Sequence, residues 1–187
     1  MELQNFGCIK SIALPSDWQA DSELNTGVLK MLCARPKADS DIEITLFQKT
    51  QGVSAESMQI FRTALNQGEH KIVEGSDQLL KLSPIMGNAG NNQWTNKDRG
   101  RSGPNFRFTS GEVTKINGKP VLKVKGSFLE PESKKLQNEY CGIFIDAGTD
   151  NNLVQEIYLQ VPSHYGYFQF EKYLKTFTDA LFTLKWV

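Results

Sequence analysis

Glu112-Val113-Thr114-Lys115-Ile116-Asn117-Gly118-Lys119-Pro120-Val121-Leu122-Lys123-Val124 places two β-prone runs on either side of an Asn-Gly pair. That pair tolerates the positive φ angles of a type I′ turn better than any other, so the stretch predicts a hairpin with a two-residue loop. The turn sets the register. Ile116 faces Lys119, Val113 faces Leu122, and Glu112 faces Lys123 as an opposite-charge cross-strand pair. Counted outward, this register puts Phe106 and Phe108 on the face opposite Leu122, Val124 and Phe128, which would divide the apolar set between core and water. One extra residue in the first strand removes the conflict. Ser110-Gly111 is the expected place for it, as a bulge with Gly111 at positive φ.

The chain has 187 residues, of which 39% are hydrophobic, and this suits one domain spanning 1–187 with a core that needs no metal or disulfide. Lys and Arg number 21, as do Asp and Glu, so the formal net charge is zero. No global field attracts nucleic acid or an anionic membrane. Cys8, Cys33 and Cys141 are odd in number and sit far apart in apolar runs, the usage of buried, reduced thiols in a cytoplasmic protein. The first residues show no basic segment followed by an apolar one, and no apolar run approaches the roughly 18 residues of a membrane span.

Along the chain, 8–14 reads as a strand ending in a turn at Pro15-Ser16-Asp17-Trp18, and 21–26 reads as a polar loop. Val28 to Arg35 and Ile42 to Phe47 predict a second antiparallel pair, with Ile42, Ile44 and Leu46 on one face. Ser54 suits an N-cap for a helix carrying Met58, Phe61 and Leu65 and ending at Gly68. Gln78 to Met86 reads as a strand. Glu139 to Asp146 is apolar on both faces and predicts a central strand. Leu153 to Val161 alternates as a strand with one exposed face carrying Glu156 and Gln160. Ser163 then suits an N-cap for a last helix whose stripe runs through Phe170, Tyr173, Leu174, Phe177, Ala180, Leu181 and Leu184.

Between Gly87 and Asn105 no helical or strand period survives, and a connection of that length is uncommon inside a compact domain. Lys97, Arg99, Arg101 and the adjoining Arg107 against Asp98 give four minus one, a local charge of plus three, with Trp94 nearby. Arginine forks onto carboxylates and tryptophan anchors contacts, so Trp94, Lys97, Arg99, Arg101 and Arg107 form the candidate binding set for an acidic protein partner. The alternative is a solvated connection without a partner.

Catalytic constellations are few. His70 and His164 are the only histidines, with no His-x-x-x-His and no cysteines at ligand spacing, so neither a metal nor another cofactor is expected. Cys141, with His164 as base and Asp146 as orienter, is a chemically conceivable nucleophile set, set against the inertness of a thiol in an apolar strand. The glycines at 87 and 90 lack the lysine and hydroxyl that complete a phosphate-binding loop.

The order of strands, one helix, an antiparallel run with a hairpin and a C-terminal helix predicts an α/β (α+β) fold, an antiparallel sheet covered by helices. With Ile12-Ala13-Leu14-Pro15-Ser16-Asp17-Trp18 at the start and Ile157-Tyr158-Leu159-Gln160-Val161-Pro162 before the last helix, it resembles the α/β/α sandwich of the PsbP-like proteins, shared with the Ran-binding nuclear-import factor Mog. The resemblance implies a non-enzymatic protein-binding or assembly role, as in an extrinsic photosystem subunit, a Ran partner and type VI effector chaperones. Members of the photosynthetic branch carry a transit or lipoprotein signal, a pattern that the residues from Met1 onward do not show. The other expectation is a small-molecule-binding protein or enzyme with a pocket between the sheet and the 87–105 loop.

Overall fold

Asn117 and Gly118 have φ angles of 48° and 83°, the pair of positive values that a type I′ turn requires. The strands they join pair Ile116 with Lys119, Val113 with Leu122 and Glu112 with Lys123, as the turn dictates. Asn117 has a second role. Its Nδ2 donates to Phe182 O at 3.0 Å and to Leu184 O at 2.7 Å, so the hairpin tip satisfies carbonyls at the end of the last helix.

The computed structural model describes residues 1–89, 106–130, 132–148 and 151–187. The N-terminal strands are β1 (Glu2–Phe6), β2 (Ile9–Ala13), β3 (Trp18–Asn25), β4 (Leu29–Pro36) and β5 (Glu43–Lys49). Then come α1 (Ala55–Asn66), β6 (His70–Ile72) and α2 (Asp77–Ala89). The second half contains β7 (Phe106–Ile116), β8 (Lys119–Leu129), β9 (Leu136–Asp146), β10 (Val154–Pro162), α3 (Tyr167–Phe182) and β11 (Lys185–Trp186). Eight strands form one sheet in the order β3-β4-β5-β10-β9-β8-β7-β6, and β1-β2-β11 form a second. Every described strand pairing is antiparallel.

The large sheet separates two cores. Over one face lie α3 and the small sheet, burying Ile44, Leu46, Cys141, Ile143, Ile157 and Leu159. Over the other lie α1 and α2, burying Leu122, Val124, Phe128, Tyr140 and Phe144. The result is a mixed α/β sandwich in which neighbouring residues of β9 serve opposite cores, as side-chain alternation requires.

Several expectations need correction. The 78–86 segment is not a strand but most of α2. Leu79, Leu82, Ile85 and Met86 recur at helical spacing and pack on the sheet, and the Ser76 hydroxyl accepts Leu79 N–H at 3.2 Å. Pro84 lies inside this helix and cannot donate to Leu80 O, which instead takes the Ser83 hydroxyl at 2.7 Å. The 21–26 segment is not a loop. Through Asn25 it belongs to β3, whose polarity reflects an edge position paired only with β4. At the N-terminus the structure adds β1, which pairs with β2.

The extra residue in β7 falls between Phe108 and Ser110, and the φ of Gly111 lies outside the left-handed region. The position is tight instead, since a Cβ there would meet the Phe108 ring at 3.0 Å and Ile72 at 3.1 Å, and those side chains would have to give way. The bulge still brings Phe106 opposite Phe128, where their rings meet edge to face at 4.9 Å. Ser163 does not cap the last helix. A 3₁₀ turn, Ser163–Tyr165, comes first, and Gly166 at φ 79° stands at the N-cap.

Candidate functional site

The face under α3 is apolar over β5, β10 and β9 and, beyond Ile116 and Val121 near the hairpin tip, polar over β8, β7 and β6. Register explains the change. Leu46 lies opposite Ile157, Ile157 opposite Ile143, Ile143 opposite Lys123, Lys123 opposite Glu112, and Glu112 opposite Lys71. Directly opposed residues share a face, so a single row crosses from the buried core to an open, charged floor. The α3 helix covers only the apolar part. Beside its first turn a cleft of ≈ 510 Å³ is lined by Tyr167, Phe170, Glu171, Lys125, Glu139 and Leu136. A second hollow of ≈ 300 Å³ is lined by Lys71, Glu112 and Lys123, and it shares Ser110 and Lys125 with the first. Together they form one trough.

Charges in the trough are only partly compensated. Lys123 Nζ lies 3.3 Å from Glu112, and Glu139 accepts the Ser127 hydroxyl at 2.7 Å. Among the described residues, Lys71 and Lys125 have no ion pair. Two large aromatic side chains open onto solvent at the same end: Tyr167 is 70% and Phe168 88% exposed, with ring centroids 6.0 Å apart. Leu136 is also exposed. This is an amphipathic surface. It offers cations along the floor and aromatic area at the rim.

The opposite face hides a polar group that alternation places in water. Glu156 is 1% exposed because α1 and α2 enclose that side of the sheet, which corrects the expectation of an exposed face on β10. One carboxylate oxygen accepts the Tyr140 hydroxyl, and among the described residues the other has no hydrogen-bond partner. Burial pushes the carboxyl up to about 8, against the pull of the Tyr140 hydrogen bond and of Lys49. Burial in turn pushes the Lys49 ammonium down. Gly142 permits the arrangement, because a Cβ at that position would collide with the Tyr140 hydroxyl. So enclosed a node holds the sheet together.

The three residues of the conceivable nucleophile set are engaged elsewhere. Cys141 is buried and its thiol is pushed up to about 11 by that burial, partly opposed by Lys123 and Lys125. Asp146 takes Arg62 Nε at 2.7 Å and Nη2 at 3.3 Å. Burial raises its pKa, but Arg62 and the Gly148 N–H outweigh that and hold the carboxyl below its ordinary range. The His164 ring lies against Tyr165. Among the described residues no hydrogen bond joins Cys141, His164 and Asp146. Cys33 is buried as expected, whereas Cys8 is only half-buried, its thiol donating to Gln155 Oε1 at 3.1 Å. His70 ties β6 to α2, its Nδ1–H donating to Gly68 O at 2.7 Å while Nε2 accepts from Gln78 at 2.8 Å.

Of the five residues expected to bind a partner, Trp94, Lys97, Arg99 and Arg101 lie outside the described residues, as does most of the 87–105 segment with any pocket beside it. Arg107 is exposed on β7 opposite Ser127, on the sheet face that carries Lys125. Sequence reasoning missed the trough itself. Its signal was available in Tyr167, which extends the edge of the Phe170 stripe by one turn, and in Phe168, which falls off the apolar face. No family model and no curated protein matches the chain. Among the described residues there is no helix long and apolar enough to cross a membrane and no cluster of metal-ligating side chains.

Proposed function

We propose that this chain is a non-catalytic protein-binding factor of the assembly or chaperone type, built as a PsbP-like sandwich. The observation that carries the reading is the pair Tyr167 and Phe168, exposed on the first turn of α3 beside a charged cleft. Large aromatic side chains at a polar rim are the usual anchors of a protein interface. The PsbP-like assignment draws its support from helices on both faces of one antiparallel sheet.

The test compares capture from native lysate by the wild-type chain and by a Tyr167→Ser, Phe168→Ser variant. A discrete set of proteins retained by the first and lost by the second is the expected result. Retention of the same proteins by both overturns the reading. So does a small molecule in native mass spectra of a wild-type chain that captures no protein, and the cleft then belongs to a small-molecule-binding protein.

A further inference from the structure

We propose that the trough takes an extended peptide segment of a partner, with an apolar side chain resting on Tyr167 and Leu136 and acidic residues on one side of it meeting Lys125 and Lys71. This rests on the protein-binding reading and assigns its ligand class. Size admits a peptide, because two hollows of ≈ 510 and ≈ 300 Å³ that share Ser110 and Lys125 have room for more than one side chain. Charge supplies the polarity. Lys71 and Lys125 are without an ion pair among the described residues, and Arg107 stands on the same face. Lys123 is already held by Glu112.

At the apolar end the order reverses, because Glu171 lines the cleft beside Tyr167 and repels a carboxylate there. A ligand therefore fits only with its apolar residue at the α3 end and its acids toward β6.

The test uses fluorescein-labelled nonapeptides in a Gly-Ser background, each with one Phe followed or preceded by two Glu, and matching peptides with Lys for Glu. The Glu peptides are expected to bind the full chain roughly tenfold more tightly than their Lys counterparts and to weaken as salt rises. A Lys71→Glu, Lys125→Glu variant should invert the preference toward the Lys peptides, which a merely structural role for the lysines would not produce. Should that variant fail to fold by circular dichroism, Lys125→Gln alone must reduce the preference. Equal binding of both sets, binding of neither, or a preference untouched by Lys125→Gln overturns the proposal. If lysate capture still depends on Tyr167 and Phe168, only this ligand class falls. If it does not, the protein-binding reading falls with it.

Discussion

Glu156 is the residue whose environment contradicts its chemistry most sharply. A carboxyl held at about 8 in the folded chain and near 4.5 when unfolded stays protonated in the native state across a range where the unfolded chain releases its proton. Its contribution to stability is therefore fully present below about pH 4.5 and is lost as pH rises toward 8. At about 1.4 kcal/mol per unit, the loss across that window amounts to a few kcal/mol. Glu156→Gln keeps an acceptor for the Tyr140 hydroxyl and cannot ionise. In urea titrations at pH 5, 7 and 9, the variant should match the wild type at pH 5 and exceed it by a growing margin at 7 and 9. A constant difference between the two proteins at all three values would show that the carboxyl is not the titrating group.

The β7–β8 hairpin was legible because its information is local: Asn117-Gly118 fixes a turn, the turn fixes a register, and the register fixes the faces. Gly118→Val forces a β-branched residue to φ 83° and should cost about 1–3 kcal/mol in thermal or urea unfolding. Asn117→Gly keeps the turn geometry but removes the two hydrogen bonds to Phe182 and Leu184, so it should loosen β11. Amide exchange at Lys185 and Trp186 should accelerate while the β7–β8 ladder stays protected, and equal acceleration of both would refute the separation of roles. The 78–86 segment was misread because a short apolar run carries either period, and what decides it is Ser76 at the start and a sheet for Leu82 and Ile85 to cover. The polar 21–25 segment of β3 misled in the other direction, since ladder bonds to one neighbour do not require apolar side chains. For the candidate site, the α3 stripe was readable from Phe170 onward. Where its cover over the sheet ends depends on packing among distant strands, and that boundary exposes Tyr167 and creates the trough.

Across the whole molecule, the eight-stranded sheet is the shared wall of two cores, so neither can be lost without disturbing the other. Tyr140 and Phe144 face the α1 and α2 side while Cys141, Ile143 and Ile145 face α3, all within one strand. Phe61 on α1 and Phe177 on α3 are both fully buried, and truncating either to alanine should cost on the order of 3–5 kcal/mol through lost burial and a residual cavity. If the sheet couples the cores, Phe61→Ala and Phe177→Ala each lower a single transition that is the same by near-ultraviolet circular dichroism and by thiol labelling. The cysteines report on this separately: half-buried Cys8 should react with a thiol reagent in the native state, whereas Cys33 and Cys141 should wait for that transition. Cys141 lies on the α3 face and Tyr140 on the other. Independent cores would release Cys141 early in the Phe177→Ala variant while the aromatic signal around Tyr140 persisted. Two separated transitions of that kind would mean that the helical layers unfold from the sheet one at a time.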